Sequence, residues 1–294
     1  MSITDADWRL IREEVVAGAE SFARDEIAAR TAAEEGVGTV RLYQWLPSCL
    51  SLGYGQDPDT VDWEFCEQWG IDVVRRPTGG GGIYHDTHGD IAYSIIAPAD
   101  VVPGNLEETY DLFCEPLFAA FEELGVPASF ADEPREALYE PSCYLRDIDP
   151  AHDIVVDGKK LAGNAQYRTR DAVVQHGSIS FEVMARQHLS CFADPPVDEA
   201  TFEARVAGLN ESANTERDTP VDSQHVGMMD SLNLERDRAV RTIEDSLAAW
   251  CGIERDGFVD DDWTDAEREA AADLADRKYR SEAWTRDRED PTDD

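Results

Sequence analysis

The stretch GKKLAGNAQ, residues 158–166, decides the fold of this 294-residue chain, and its lysines mark it first. Three of the 26 basic side chains in the sequence are lysines, and two of the three are Lys159 and Lys160. Arginine stays charged and planar, whereas lysine carries a compact ammonium group that can titrate. The scarcity of lysine therefore indicates that this stretch needs an amine for its chemistry. The alternative is that one lysine merely closes a turn before a strand.

On either side of this stretch the chain alternates between helical and extended patterns. Apolar residues recur at helical spacing in residues 106–125, which predicts a long core helix. Shorter apolar runs, bounded by turn residues, predict strands. Helices are predicted at 22–33, 62–69, 106–125, 236–250 and 264–279, and strands at 40–45, 49–54, 72–75, 82–85, 90–96, 153–156, 160–166 and 173–181.

The order of these elements predicts the fold class. The strands at 72–75, 82–85 and 90–96 follow one another closely, so we expect them to pair as antiparallel neighbours. No βαβ period runs through the first half of the chain. The sequence predicts an α/β (α+β) protein with a mixed, mostly antiparallel sheet flanked by helices, and a short helical extension at its C-terminal end.

The net charge of -37 is the outlying number in the composition. Such a surface repels the phosphates of nucleic acids and anionic lipids, so we expect neither nucleic acid nor a membrane as a partner. Its acidic groups also repel one another, and salt that screens these charges favours the compact, folded state. Few lysines and many acidic residues together predict a halophilic, salt-in cytoplasm. An acidic interaction protein from a mesophile is the alternative.

The cysteines and the first residues bear on the compartment. Six cysteines are scattered without a CxxC pair, which favours neither a zinc ribbon nor a disulfide framework. His85, Asp86 and His88 lack a third ligand at suitable spacing, and we expect no metal site. The start MSITDADWRL has no basic and apolar leader pattern. We therefore expect a reduced, soluble, cytoplasmic protein.

A second motif, RRPTGGGGIYHD at residues 75–86, contains four consecutive glycines. Glycines in succession weaken a strand, so such a run is expected where the backbone approaches a ligand closely. No Lys-Ser or Lys-Thr follows, so it is not a Walker loop, and it departs from the dinucleotide fingerprint at Tyr84. A plain flexible loop is the alternative reading.

Four motifs in order carry a resemblance to a known family. They are RLYQWLPSCLSLGYGQ (41–56), RRPTGGGGIYHD (75–86), GKKLAGNAQ (158–166) and QHGSISF (175–181). Together they resemble the catalytic domain of the lipoate-protein ligase and octanoyltransferase family, which is related to biotin protein ligases. The resemblance implies a catalytic domain over residues 1–250, followed by a helical extension and acidic tail over 251–294. It also implies attachment of an octanoyl or lipoyl group to a lysine of a recipient protein.

The resemblance also implies roles for individual residues. Lys160 matches the family lysine that contacts the acyl carbonyl and, in ligases, the phosphate of the acyl-adenylate. The other matched positions are expected to bind the acyl substrate. They are Arg76, Thr78, Gly79, Gly80, Gly81 and His85 in the glycine motif, Gly163, Asn164 and Ala165 on one strand, and His176 and Gly177 on the next.

Cys143, in PSCYLRD, distinguishes between subclasses of the family. The cysteine-dependent octanoyltransferases place their nucleophile at this position, and many ligases do not. The resemblance thus favours an acyl-enzyme on Cys143, loaded from octanoyl carrier protein without ATP. The alternative for Cys143 is a buried, small apolar residue. The spacing between Cys143 and the next strand is slightly longer than the family pattern.

Partners and cofactors follow from the same resemblance. The expected recipients are lipoyl domains of 2-oxoacid dehydrogenase E2 subunits or the glycine-cleavage H protein, and the expected donor is octanoyl-loaded acyl carrier protein. No tightly bound cofactor is expected. The first alternative is an ATP-dependent lipoate-protein ligase, which would use ATP and Mg²⁺ and would need a separate accessory subunit. The second is an inactive family member that binds lipoyl domains without turnover.

The acidic composition yields a prediction about salt. Raising KCl from about 0.1 M to about 1 M shortens the Debye length from about 10 Å to about 3 Å, and this relieves self-repulsion in the folded state. We predict that the thermal unfolding temperature, followed by circular dichroism, rises over this range. Sucrose at matched osmolality should reproduce only the part that comes from solute exclusion. A flat or falling unfolding temperature in KCl would contradict the prediction.

Overall fold

The computed structural model describes residues 3, 6–132, 140, 142, 153–213, 228–253 and 262–292, with the backbone alone for 228–235. Ten strands and eight α-helices lie in these ranges. The strands are β1 (Asp7–Val16), β2 (Val37–Trp45), β3 (Cys49–Leu52), β4 (Asp72–Arg75), β5 (Ile83–His85), β6 (Asp90–Pro98), β7 (Ser129–Phe130), β8 (Asp153–Val156), β9 (Lys159–Arg168) and β10 (Ala172–Ser180). The helices are α1 (Gly18–Glu35), α2 (Trp63–Trp69), α3 (Leu106–Glu123), α4 (Ala185–Ser190), α5 (Glu199–Glu203), α6 (Leu209–Ser212), α7 (Met228–Trp250) and α8 (Asp265–Leu274).

Seven strands form the larger sheet, in the order β1-β2-β6-β10-β9-β8-β7. Every neighbouring pair is antiparallel except β1 and β2, which run parallel with α1 as their connection. The predicted fold class, a mixed and mostly antiparallel sheet flanked by helices, is confirmed. Strand β1 was not predicted, because its sequence DWRLIREEVV alternates too weakly between apolar and polar residues.

A second sheet of three strands, in the order β4-β3-β5, stands apart from the first. The prediction that residues 72–75, 82–85 and 90–96 pair with one another is wrong. β4 runs parallel to β3, β5 runs antiparallel to β3, and β6 joins the larger sheet between β2 and β10. Closeness in sequence did not predict the pairing, because the chain passes through the glycine run from one edge of β3 to the other, so β4 and β5 lie on opposite sides of β3.

Helices cover both faces of the larger sheet, and side-chain alternation along each strand explains why both are buried. In β2, Val40 and Leu42 lie in the cluster formed with α3 and α7, whereas Tyr43 lies in the cluster formed with α1 and α8. The predicted core helix over 106–125 is confirmed as α3, with Phe113 and Phe121 fully buried. Within the described residues, no helix has the length and apolar character needed to span a bilayer.

The segment after α8 packs against the second sheet. The side chain of Arg75, at the end of β4, donates hydrogen bonds to the carbonyls of Trp284 (3.2 Å) and Thr285 (3.0 Å). The indole of Trp284 returns one to the carbonyl of Arg75 at 2.7 Å. Farther along, Lys278 forms an ion pair with Asp290 at 2.6 Å. The C-terminal segment is therefore part of the packed structure next to the glycine run.

Two tryptophans provide a matched test of this packing. Trp284 is 4% exposed, whereas Trp69 is 67% exposed. We predict that Trp284→Ala lowers the free energy of unfolding by about 3–5 kcal/mol, since it removes a buried aromatic side chain. Trp69→Ala should change it by less than about 0.5 kcal/mol. Urea unfolding of both variants at one high KCl concentration measures the difference. Equal effects of the two variants would refute the packing described above.

Candidate active site

A cavity of about 390 Å³ lies between the two sheets. This volume is at the lower end of the range for small-molecule sites. Glycines of the loop after β4 line one side, and β9 and β10 line the other. The lining residues are Phe22, Tyr43, Trp45, Ser51, Arg76, Gly79, Gly80, Gly81, Ile83, His85, Asp153, Lys160, Gly163, Asn164, Ala165, His176, Gly177 and Ser178.

The structure brings together nearly all of the candidate residues predicted from the sequence. Of the thirteen, eleven line this cavity. Thr78 lies next to the lining and holds one of its members, His176. Cys143 lies outside the described residues. Lys160 and the glycine run, which are far apart in the sequence, therefore face the same cavity.

The glycine loop is held in shape by the side chain of Arg76. Its guanidinium donates hydrogen bonds to the carbonyls of Gly79 and Gly81, both at 2.7 Å, and to the carbonyl of Ser51 at 2.9 Å. Gly80, between them, has φ +93°, a backbone conformation that favours glycine. A Cβ there would lie 2.8 Å from Arg76 Nη2. The buried guanidinium thus fixes the loop from within.

Lys160 is 3% exposed, and its Nζ lies 2.5 Å from Oδ1 of Asp153, which is 4% exposed. The two-residue turn at Asp157 and Gly158 joins β8 to β9, and a shift in register between Ile154 and Val155 brings Asp153 within reach. Gly163 leaves space for the ammonium group, since a Cβ there would lie 3.2 Å from Lys160 Nζ. A buried cation is costly unless it is paired, and Asp153 supplies the pairing.

His176 lies at the floor of the cavity on β10. Its Nε2 is 2.8 Å from Thr78 Oγ1, and its Nδ1 is 3.6 Å from Oδ2 of Asp25 on α1. Burial lowers the pKa of His176, and Asp25 opposes this only in part. Burial alone would raise the pKa of Asp25, but Arg41, His176 and Ser94 together bring it below its usual value. Around neutral pH the carboxylate is charged and the imidazole neutral.

His85 takes part in a second buried chain of hydrogen bonds. Its Nδ1 lies 2.7 Å from Asp90 Oδ2, and its Nε2 lies 2.9 Å from Ser51 Oγ. The Trp45 ring stacks on the imidazole at 4.3 Å with an interplanar angle of 21°. Asp90 also accepts hydrogen bonds from Trp45 Nε1 at 3.0 Å and from Ser178 Oγ at 2.6 Å. The chain connects the two sheets, because Ser51 and His85 belong to one and Asp90 to the other.

Asn164 forms the part of the wall nearest to α3. Its Oδ1 accepts a short hydrogen bond from the hydroxyl of Tyr93, and its Nδ2 lies 3.5 Å from Cys114 Sγ. Gly177, opposite Asn164 in the sheet, leaves room for this contact, since a Cβ there would lie 2.3 Å from the Tyr93 ring. Small residues on β9 and β10 leave space for the cavity at Gly163, Ala165 and Gly177.

The neighbour of Cys143 in the chain is described. Ser142 is fully buried and forms a parallel bridge with Gly82, the last residue of the glycine run. Its Oγ lies 2.6 Å from Nε2 of His188 on α4. Burial lowers the pKa of His188 to about 3, so this imidazole is neutral around pH 7. Residue 142 is therefore fixed beside the glycine run.

Sequence reasoning missed several residues of the site. Asp153, Ser51 and Asp90 were not candidates, although each makes a short polar contact within the cavity wall. One signal was available for Asp153: an Asp-Gly pair between two apolar runs predicts a tight hairpin, which would have placed Asp153 across from the Lys160 strand. No comparable local signal exists for Ser51 and Asp90, because their partners lie in other strands.

Two nearby glycines give a matched test of the loop geometry. A Cβ on Gly53 would lie 1.8 Å from the carbonyl oxygen of Gly80, whereas a Cβ on Gly55 meets nothing within 4 Å. We predict that Gly53→Ala lowers the free energy of unfolding by about 1–3 kcal/mol through this clash and accelerates amide hydrogen exchange in residues 79–82. Gly55→Ala should leave loop exchange unchanged. If Gly53→Ala behaves like Gly55→Ala, the close contact between residues 53 and 80 does not exist.

Comparisons with known proteins agree with this geometry. Residues 17–223 match the lipoyl protein ligase A/B catalytic domain family. An octanoyltransferase LipM from an Exiguobacterium species is 37% identical over 226 residues, covering 74% of this chain and 80% of the relative. A lipoate-protein ligase A bound with ATP has the same fold, with a TM-score of 0.72 at 22% identity, covering 95% of this chain and 98% of the other. So does a bipartite lipoate protein ligase from Thermoplasma acidophilum, at 0.69 and 20% identity, with 96% of each chain covered. The chain belongs to the lipoyl protein ligase A/B catalytic domain family.

Proposed function

We propose that this protein is an octanoyltransferase that modifies a lysine of lipoyl-domain proteins through an acyl-enzyme on Cys143. The observation that carries the proposal is the meeting of the Lys160 ammonium and the glycine loop in one buried cavity. An acyl carbonyl between them would be polarised from two sides. Two curated relatives that are 37% identical to this chain over 226 and 233 residues are named octanoyltransferases, which favours transfer over ligation.

The first step transfers the octanoyl group from a carrier-protein thioester to the thiolate of Cys143. The sulfur attacks the carbonyl carbon, the carrier thiolate leaves, and one thioester replaces another. Because the two thioesters have similar energies, the step needs no ATP. The negative charge that develops on the carbonyl oxygen is stabilised by Lys160 and by amides of the glycine loop. One donor of this kind contributes about 3 kcal/mol in comparable sites.

Two contacts support a nucleophile at position 143. Ser142 bridges Gly82 and contacts His188, so the residue before Cys143 is anchored at one end of the glycine loop. A cation nearby lowers the pKa of a cysteine, and Lys160 and Arg76 are the cations among the described residues that line this cavity.

The second step transfers the octanoyl group to the acceptor amine. A lysine of the recipient enters the open side of the cavity, attacks the acyl carbon, and releases Cys143 as a thiolate. We propose the lipoyl domains of E2 subunits and the glycine-cleavage H protein as recipients and acyl carrier protein as donor. For the related fold from Thermoplasma acidophilum, the solved system comprises a bipartite ligase and its E2 lipoyl domain.

The Lys160 ammonium yields a test of the chemistry. We predict that Lys160→Arg lowers the rate of octanoyl transfer from octanoyl carrier protein by about 10²-fold or more. A planar guanidinium cannot occupy the space that Gly163 leaves for a compact ammonium. Lys159→Arg is the matched control, since Lys159 is exposed and contacts only the carbonyl of Glu203 among the described residues. Transfer is measured in about 1 M KCl by the mass of the recipient.

Cys143 is tested in the same assay. Cys143→Ala should abolish transfer, and intact mass of the parent protein should show an octanoyl adduct that hydroxylamine removes. Cys251→Ala, at a buried cysteine outside the cavity, should retain both. Consumption of ATP and free lipoate by a fully active Cys143→Ala protein would overturn the transferase proposal.

A further inference from the structure

The proposed reaction leaves one requirement unassigned, which is an acceptor for the proton of the attacking amine. We infer that Ser51, His85 and Asp90 form the proton relay that accepts it, with Ser51 in contact with the amine and His85 as the final base. This inference rests on the proposed function and names the catalytic groups of its second step. The three relay residues all lie in the described part of the chain.

The chemistry requires such a base. The recipient lysine has a pKa of about 10.4 in water and arrives mostly as an ammonium ion. It loses one proton to solvent on entering as the free amine. It loses a second as the bond between nitrogen and the acyl carbon forms. Lys160 is the cation expected to stabilise the carbonyl oxygen, and its ion pair with Asp153 already occupies that carboxylate. The second proton therefore needs another group in the cavity.

The contacts of His85 determine which nitrogen carries its proton. Asp90 is held by Trp45 Nε1 and Ser178 Oγ, which both donate to a carboxylate. The Nδ1 of His85, 2.7 Å from Asp90 Oδ2, is therefore the protonated nitrogen of the neutral ring. Its Nε2, 2.9 Å from Ser51 Oγ, then accepts the serine proton. This is the geometry in which a serine transfers a proton to histidine.

The Ser51 hydroxyl has one hydrogen-bond acceptor position left for the amine. The hydroxyl has one proton to donate, to His85, and two lone pairs. Nη1 of Arg76 occupies one lone pair weakly, at 3.3 Å. Ser51 lines the cavity, and its second lone pair has no partner among the contacts that the structure describes for this hydroxyl. An amine N–H in the cavity can donate to it.

His85 lies between an acidic and an aromatic partner. Asp90 faces one edge of the ring, and Trp45 stacks on its face at 4.3 Å. An indole face attracts a cation, and this attraction grows when water is excluded. His85 and Asp90 are both about 5% exposed. The ring is therefore enclosed by a carboxylate at one edge and an indole on one face.

The other histidine of the cavity does not meet these conditions. The Nε2 of His176 contacts Thr78, which does not line the cavity, and its Nδ1 is 3.6 Å from the Asp25 carboxylate. In the described ranges no indole stacks on it; the ring nearby is Phe22, edge to face at 5.7 Å. His176 is accordingly a wall of the cavity in this scheme, and His85 is the base.

The step is balanced as follows. The nitrogen of the acceptor lysine bonds to the acyl carbon while the bond from that carbon to Cys143 Sγ breaks, and its electron pair stays on sulfur as a thiolate. One proton passes from the nitrogen to Ser51 Oγ, and the serine proton passes to His85 Nε2. The proton on His85 then returns to the thiolate or to solvent. No oxidant, reductant or nucleotide takes part.

Separate measurement of the two half-reactions tests the relay. Single-turnover mass spectrometry follows acylation of Cys143 by octanoyl carrier protein, and then transfer from the isolated acyl-enzyme to a lipoyl domain. We expect Ser51→Ala and His85→Gln to form the acyl-enzyme within about threefold of the parent rate and to slow transfer to the lipoyl domain by about 10²-fold. Ser51→Thr, which keeps a hydroxyl, should restore most of the transfer rate. His88→Gln, at an exposed histidine nearby, should resemble the parent in both steps.

Hydroxylamine separates a proton-transfer defect from a structural one. It is uncharged at neutral pH and small enough to enter the cavity together with water, which can accept the proton that it loses when it attacks the acyl carbon. We expect it to release octanoyl from the Ser51→Ala and His85→Gln acyl-enzymes as fast as from the parent. Equal slowing with hydroxylamine and the lipoyl domain, or parent-like transfer in Ser51→Ala, would overturn the relay. Absence of any octanoyl adduct on the parent protein would instead overturn the proposed function.

Discussion

The structure around the cavity depends on one constraint, which is that buried backbone carbonyls in irregular segments must find donors. Strands satisfy one another, but the turn at residues 53–56, the glycine loop and the C-terminal segment cannot. Arg75 and Arg76, adjacent at the end of β4, supply those donors. Arg75 donates to carbonyls of Gly53, Tyr54, Gln56 and the C-terminal segment, and Arg76 donates to carbonyls of the glycine loop. Consecutive side chains on a strand point in opposite directions, so two neighbouring residues serve two separate sets of carbonyls.

Buried polar side chains obey the same requirement for partners, and this explains why the cavity is both polar and ordered. Lys160, Asp153, His85 and Asp90 are each about 5% exposed or less, and each has a charged or hydrogen-bonding partner. Removing one member of such a pair leaves the other buried without compensation, at a cost of several kcal/mol. The polar groups are thus held at fixed positions before any substrate arrives. Fixed donors aimed at a developing charge are the arrangement that acyl transfer requires.

The three lysines of this chain have different surroundings. Lys160 faces the cavity, but Lys278 is also buried, where it contacts Glu26, Asp290 and the ring of Trp284. Lys159 is exposed and bonds to a backbone carbonyl. Scarcity therefore identified a set of positions where an ammonium is retained, and only one of them lies in the cavity. The family resemblance and the glycine loop were needed to select it.

The sequence by itself determined the fold class and the core helix α3, because apolar periodicity is a local property of the chain, and its motifs carried the family resemblance that selected the residues facing the cavity. Only the tertiary structure decided the rest. Whether β4, β5 and β6 pair with each other depends on where the glycine loop leads the backbone. The contacts of Lys160 with Asp153, of His85 with Ser51 and Asp90, and of Arg75 with residues 284–285 join segments that no local pattern relates. Their geometry arises when two sheets close around one cavity, since burial leaves each charge or polar group only the partners that packing brings to it.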